Sequence, residues 1–242
     1  MPSFTTDGPD IPIEVLQALE DGELVFFCGA GVSKPAGLPL FGELVKAICE
    51  CVHEGMVVLE KKAFENGEYD RVLTLLERRV DAIQVRSAIA TVFARTFNGN
   101  LEVHSDLLRL SRTPASPPRL VTTNFDDLFH RAGAADSHID AAPRLRTPKP
   151  TGWHTVVHLH GRLADQAAPT EYADLVLTSE DFGQAYMLDG WATRFVVELF
   201  LVGASHGRCR TPQEKLPKRS PRLSLPLHWD GCVILKRPGC LD

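Results

Sequence analysis

A chain of 242 residues that is 44% hydrophobic and 24% charged is long enough for one soluble α/β domain with a sizeable core. The net charge of −5 argues against nucleic-acid binding by the overall field, and no run approaches the ~18 apolar residues that cross a bilayer. The first residues lack the pattern of an export signal, and the six cysteines form no Cys-x-x-Cys pair. We therefore expect a cytoplasmic protein without a zinc ribbon or a disulfide framework.

The first predicted strand leads into a glycine-rich loop. Asp10 is predicted to cap a short helix that ends near Gly22. The apolar run Leu24–Cys28 then indicates a buried strand, followed directly by Gly29-Ala30-Gly31-Val32-Ser33. At the carboxyl end of a parallel strand, such a loop directs backbone N–H groups toward a phosphate. The third glycine of the dinucleotide fingerprint is missing, so a glycine turn without a ligand is the alternative.

A helical insertion is predicted over residues 41–112. Apolar residues recur there at helical spacing, in stretches that Gly55, Gly67 and Gly99 separate. These residues are Leu44, Val45, Ile48, Val52, Val72, Leu73, Leu76, Val80, Val85, Ile89, Val92 and Phe93. A proline cluster at 114–118 closes the insertion.

Strands and helices alternate after the insertion. Leu120–Thr123 and Thr155–His160 are predicted strands, and Leu175–Leu177 is a further candidate. Ser179 is predicted to cap a helix that continues to about Phe200. This alternation predicts an α/β fold with a Rossmann-like doubly wound parallel sheet, in which ligands bind beyond the carboxyl ends of the strands.

Polar residues stand at those strand ends. The side chains of Asn124 and Asp126 are suited to bind ribose hydroxyls, although an Asx turn would also explain them. His160 at a strand tip is suited to act as a general base near neutral pH. We expect His158, which is on the same strand face as His160, to have a packing role. A metal site that joins the two histidines to Asp126 or Asp127 is a weaker alternative.

Taken in chain order, these motifs resemble the sirtuin family over roughly residues 20–200. The glycine loop looks like the family's first nucleotide-binding motif, and Gly37-Leu38-Pro39 is similar to the segment that follows it. Thr122-Thr123-Asn124-Phe125-Asp126 looks like the Thr-x-Asn-hydrophobic-Asp motif, and His160-Gly161 looks like the catalytic His-Gly pair. The resemblance is greatest to a bacterial branch in which a sirtuin-like domain depletes NAD during antiphage defence.

The resemblance implies an NAD⁺ hydrolase that cleaves the nicotinamide–ribose bond without a metal. Asn124 and His160 would be catalytic. The residues that would hold NAD are Gly29, Ala30, Gly31, Ser33, Thr123, Asp126, Gly161, Gly203 and Ser205. By analogy, a homo-oligomer or an activating protein partner would control the activity.

Two alternatives are a protein deacylase or ADP-ribosyltransferase, and a non-catalytic or degenerate NAD-binding module. Protein-deacylating sirtuins carry a zinc module with two cysteine pairs after the His-Gly motif. No cysteine lies between His160 and Cys209 in this chain, which favours simple hydrolysis and predicts that zinc is absent.

The end of the chain differs from the rest. We predict a sirtuin-like NAD-binding domain over residues 1–205, followed by a basic, proline-rich, irregular tail over residues 206–242. The tail holds eight Lys or Arg against three Asp or Glu. A solvated tail and a slipped reading frame both explain it, and we favour the slipped frame because local and global signals disagree there. A nucleic-acid-binding arm is a minor alternative.

Overall fold

A computed structural model describes residues 12–21, 24–112, 118–134, 140–145, 156–163, 172–201, 227–229 and 232–236. Its centre is a six-stranded sheet in the order β3-β4-β2-β1-β6-β5. The strands are β1 (Leu24–Cys28), β2 (Leu120–Thr122), β3 (Asp140–Ala141), β4 (Val156–His158), β5 (Leu227–Trp229) and β6 (Cys232–Lys236). Strands β1 to β4 are parallel, which confirms the predicted α/β class.

Helices cover both faces of the sheet. They are α1 (Ile13–Glu20), α2 (Phe41–Cys51), α3 (Val58–Glu65), α4 (Tyr69–Glu77), α5 (Ala82–Thr96), α6 (Glu102–Leu110), α7 (Ser179–Gly183) and α8 (Trp191–Leu201). Side chains alternate along β1, so that Phe26 joins the apolar cluster of Leu108 in α6. Its neighbour Val25 joins the cluster of Phe195 in α8. Both faces of β1 are therefore buried, as is typical of a doubly wound sheet.

The predicted helical insertion forms helices α2 to α6, between β1 and β2. Ten of its twelve predicted core residues are buried, and Val80 and Phe93 pack partly buried against the same cluster. This core continues into Phe125 and Leu177, which flank the end of β2 and the start of α7. Helices α2 to α5 therefore pack near the strand tips, whereas α6 packs on one face of the sheet.

Three local predictions after β2 are wrong. Strand β4 ends at His158, so that His160 lies in the turn beyond it. Leu175–Leu177 is not a strand, although it is buried and the Val176 N–H donates to the His160 carbonyl oxygen at 2.9 Å. The segment predicted as one long helix contains α7, a π-helical turn and α8. Gly190, with φ +60°, separates the π-helical turn from α8.

The caps also differ from the prediction. Thr178 rather than Ser179 caps α7, since its side chain accepts a hydrogen bond from the Asp181 N–H. Helix α1 starts after Pro12, whereas Asp10 and Gly22 lie outside the described residues.

The predicted irregular tail contains two strands within its described residues. β6 lies beside β1 and runs antiparallel to it, with Cys28 paired to Cys232 and Leu24 paired to Lys236. β5 then pairs with β6. An unpaired strand edge beside β1 would leave backbone groups without partners, and β6 supplies them. None of the helices in the described ranges is long and apolar enough to cross a membrane.

Candidate active site

A cavity of about 260 Å³ lies at the carboxyl ends of β1, β2 and β4. We call it the site cavity. Six of the predicted site residues line it, namely Ala30, Ser33, Thr123, Asn124, Asp126 and His160. Parallel strands bring their carboxyl ends to one edge of the sheet, and residues far apart in the sequence meet there for this reason.

Backbone and side-chain hydrogen bonds join the tips of β1 and β2. The Thr122 hydroxyl donates to the Cys28 carbonyl oxygen at 3.1 Å, and the Thr123 N–H donates to the same oxygen at 3.0 Å. The Asn124 N–H in turn donates to the Thr122 hydroxyl at 3.1 Å. These bonds turn the chain sharply after β2 and bring the Asn124 side chain to the loop after β1.

The Asn124 side chain is held by its amide nitrogen. Nδ2 donates to the Gly29 carbonyl oxygen at 3.1 Å and to Ser33 Oγ at 3.0 Å. Both amide hydrogens are therefore used, which fixes the amide plane. The amide oxygen has no hydrogen-bond partner within the part of the chain that the structure describes, so this cavity-lining residue keeps an acceptor for a ligand hydroxyl or a water.

Ser33 lies at the centre of a buried hydrogen-bond network. Its hydroxyl donates to Asp126 Oδ2 at 2.8 Å, and Oγ lies 3.2 Å from His104 Nε2. A hydroxyl has one hydrogen and two lone pairs. Because the hydrogen goes to Asp126, the lone pairs accept from Asn124 and from a protonated His104 Nε2. The network thus assigns the Nε2–H tautomer to His104.

His104 was not predicted from the sequence, because a single histidine in a helix gives no pattern. It is buried in α6, and its ring packs edge-on against Phe129 with 4.8 Å between centroids. Burial lowers the pKa of His104 to about 4, so the ring is neutral at physiological pH.

The Asp126 carboxyl group is enclosed by protein. One oxygen accepts from Ser33 and the other accepts from the Leu128 N–H at 3.1 Å. Burial raises the pKa of Asp126 to about 6, while the Ser33 hydrogen bond acts in the opposite direction. With this pKa the carboxyl group is mostly charged at physiological pH and becomes neutral in mild acid.

The turn after β4 presents His160 to the site cavity. Gly161 follows with φ +93°, and a Cβ there would lie 2.9 Å from the Asp174 carbonyl oxygen, so only glycine fits. The His160 ring contacts Phe182 edge-on at 5.2 Å between centroids, and Nε2 lies 2.7 Å from the Tyr186 hydroxyl oxygen. Burial lowers the pKa of His160 to about 4, so the imidazole is neutral and able to accept a proton.

His158 has different neighbours from His160. It is fully buried and stacks on His130, with 5.2 Å between centroids and 3.1 Å between the Nε2 atoms. Burial, followed by the neighbouring His130, lowers the pKa of His158 to about 3. Its burial agrees with a packing role. No group of three or more potential metal ligands occurs among the described residues.

Aromatic residues make much of the remaining cavity wall. Phe41, Phe93, Phe125 and Phe182 line it, whereas no Lys or Arg does so among the described residues. The sequence placed Phe93 in a helical core and Phe125 in the motif after β2, but it did not predict that either would line a site, because apolar residues usually belong to a core. Such a wall favours a flat apolar ring and excludes water from the polar groups beside it.

The five remaining predicted site residues do not line the cavity or lie outside the described residues. Gly29 has φ −109°, and neither Gly29 nor Gly31 has a positive φ, so backbone strain does not explain these glycines. Neither glycine, nor Gly161, lines the cavity within the described part. Gly203 and Ser205 lie outside the described residues.

Part of the chain matches a known protein family, and most of it is similar to one curated protein. The family model of the SIR2-like domain matches residues 118–206. The uncharacterized protein y4cA of Sinorhizobium fredii (strain NBRC 101917 / NGR234) is 38% identical over 212 residues, which are 84% of this chain and 17% of that protein. The chain thus spans about a sixth of the length of this relative. Asn124, Asp126 and His160 all lie in the matched segment, and this match, together with the parallel sheet, supports a sirtuin-like family for the chain.

Proposed function

We propose that the chain binds NAD⁺ in the site cavity and hydrolyses the bond between nicotinamide and ribose. One observation carries this proposal. A neutral imidazole at His160, an amide oxygen of Asn124 that has no hydrogen-bond partner among the described residues, and the buried carboxyl group of Asp126 surround one largely apolar cavity.

The chemistry of the bond suits these groups. As nicotinamide leaves, positive charge develops on the ribose, as in glycoside cleavage. Asn124 would orient the attacking water or a ribose hydroxyl, and His160 would accept the proton, a contribution of about 10²–10⁴-fold. The water oxygen bonds to the ribose carbon, the carbon–nitrogen bond breaks, and nicotinamide and ADP-ribose are released.

The remaining predicted residues would bind the rest of the substrate. Since no Lys or Arg lines the described cavity, the diphosphate would depend on backbone N–H groups of the loop Gly29–Ser33. Thr123 and Asp126, which line the site cavity, would hold a ribose or the amide of nicotinamide. Gly161 would contribute by fixing the position of His160.

Incubation with NAD⁺ tests the proposal. We expect free nicotinamide and ADP-ribose in equal amounts, without any acyl-lysine peptide, as measured by chromatography. A strict requirement for an acyl-lysine peptide would support a deacylase, and transfer of ADP-ribose to protein would support a transferase. Binding of NAD⁺ without turnover would support a non-catalytic module. Each of these three results contradicts hydrolysis.

We further propose that NAD⁺ depletion serves antiphage defence, as the resemblance to that bacterial branch implies. Cells that express the full-length gene should lose NAD⁺ on infection and limit phage growth, and the His160→Asn variant should do neither. Growth restriction that persists in this variant would contradict the role. An activating partner or oligomer would be identified as a species that changes the rate of nicotinamide release.

A further inference from the structure

The Tyr186 hydroxyl is the hydrogen-bond partner of the His160 ring. The distance between the hydroxyl oxygen and His160 Nε2 is 2.7 Å, and the two rings meet edge-on with 5.9 Å between centroids. Within the described part of the chain, neither the His160 ring nor the Tyr186 hydroxyl has another hydrogen bond. The two side chains therefore form an isolated pair.

The hydroxyl that meets Nε2 belongs to a residue outside the lining of the site cavity. His160 and Phe182 line the cavity, whereas Tyr186 does not. Phe182 and Tyr186 stack with 6.0 Å between centroids and an interplanar angle of 18°. Because Tyr186 occupies Nε2, Nδ1 is the nitrogen of His160 that has no hydrogen-bond partner among the described residues.

The local backbone holds Tyr186 firmly in this position. Tyr186 belongs to the π-helical turn Gln184–Leu188, a conformation that is rare and frequent at functional sites. The Thr193 hydroxyl donates to the Tyr186 carbonyl oxygen at 2.8 Å and ties this turn to α8. A regular α-helix continuing from α7 would place residue 186 at a different angle about the helix axis.

We propose that Tyr186 is a positioning residue whose phenol oxygen accepts a hydrogen bond from His160 Nε2–H and so keeps Nδ1 unprotonated and available to substrate. The phenol hydroxyl could accept from Nε2–H or donate to an unprotonated Nε2. We assign the first direction because a base at Nδ1 requires the proton of the neutral imidazole to be on Nε2. When Nδ1 takes a proton from water or a ribose hydroxyl, the Nε2–H···O bond is retained and stabilises the imidazolium. The role of Nδ1 and the assigned tautomer rest on the proposed function, whereas the contact between Tyr186 and Nε2 does not.

The first experiment needs no NAD⁺. In protein labelled with ¹⁵N-histidine, long-range ¹H–¹⁵N spectra at pH 7 identify the tautomer of His160, which is assigned by the signal lost in His160→Asn. We expect the Nε2–H form in the native protein and a mixture with the Nδ1–H form in Tyr186→Phe. Tyr69→Phe removes a phenol hydroxyl outside the site cavity and should leave the His160 signals unchanged. An Nδ1–H form in the native protein, or identical spectra for native protein and Tyr186→Phe, would overturn the proposal.

The second experiment separates positioning from structure. In Tyr186→Phe we expect kcat for nicotinamide release to fall about tenfold with little change in KM. The acid limb of the pH profile should move to lower pH, because the bond to the phenol oxygen favours the charged imidazole. An unchanged or raised acid limb would contradict the proposal. If the native protein shows the expected tautomer and releases no nicotinamide, the proposed function fails while the assignment to Tyr186 stands.

Discussion

Ser33 donates its hydroxyl hydrogen to Asp126 across 93 residues of sequence, at an oxygen–oxygen distance of 2.8 Å. The bond connects the loop after β1 to the loop after β2. Since the same hydroxyl accepts from Asn124 and lies against His104, one small side chain sets the positions of three others.

Replacing Ser33 with alanine should therefore destabilise the protein. Three buried polar groups would each lose a partner, which costs about 1–3 kcal/mol per group that stays unsatisfied. The pKa of Asp126 should rise further, because the Ser33 hydrogen bond lowers it. Urea denaturation measures the free energy of unfolding. Ser87→Ala is the control and should change it little, because among the described residues the Ser87 hydroxyl bonds only to the Gln84 carbonyl oxygen. Equal effects of the two substitutions would contradict the central role of Ser33.

Replacing His160 with asparagine should abolish nicotinamide release, because asparagine cannot accept the proton at neutral pH. We expect a loss of at least about 10²-fold in kcat, with an unchanged circular dichroism spectrum. His53→Asn is a matched control, because His53 is exposed with φ 56°, a conformation that asparagine also tolerates. Full activity of His160→Asn would exclude His160 as the base.

Replacing Asn124 with alanine removes an amide oxygen from the cavity wall. Two hydrogen bonds from the amide nitrogen, to Gly29 and Ser33, hold that amide in place. Nicotinamide release should fall by about 10²-fold or more, as for the loss of a positioned polar group in a transition state. Asn66→Ala, at an exposed site after α3, should retain activity. A variant of Asn124 that releases nicotinamide at the native rate would remove this residue from the site.

Replacing Gly161 with alanine should cost more than replacing Gly67. Both glycines have positive φ, +93° and +76°, a strain of roughly 1–2 kcal/mol for alanine. A Cβ at Gly67 meets nothing within 4 Å, whereas at Gly161 it lies 2.9 Å from a backbone oxygen. We expect Gly161→Ala to lose about 1–3 kcal/mol more. Thermal unfolding of the two variants measures the difference. Equal losses would contradict the close contact between residue 161 and the Asp174 carbonyl oxygen.

Stability should fall as the pH falls from 6.5 toward 5. Burial lowers the pKa of His104 and His160 to about 4 and that of His158 to about 3, so the unfolded chain binds protons that the folded chain does not. The raised pKa of Asp126, like that of Glu77, acts in the opposite direction. The effect of the three histidines is larger than that of the two carboxyl groups, so unfolding takes up about one to two protons in this pH range.

Urea denaturation at pH 7, 6 and 5 checks this pH dependence. His104→Gln keeps a donor for Ser33 but does not titrate, so it should reduce the slope of the unfolding free energy with pH by about one proton. A free energy of unfolding that is constant over this range would contradict the burial of these rings.

Local patterns predicted most of the fold. The strand at Leu24–Cys28 and the helical faces of the insertion follow from the spacing of apolar residues, which burial on a sheet or a helix requires. The long helix after Ser179 was predicted wrongly, because its apolar period continues through the break at Gly190. The hairpin of β5 and β6 was missed, although Asp230-Gly231 between two apolar runs is a hairpin signal.

The sequence by itself determined that Asn124, Asp126 and His160 stand at strand tips, because residue order and periodicity are local properties and parallel strands end at one edge. Only the tertiary structure decided which side chains touch them. His104 reaches Ser33 across 71 residues, and Tyr186 reaches His160 across 26. Such contacts depend on how α6 and the turn before α8 pack on the sheet, and packing of distant segments leaves no periodic trace in the chain.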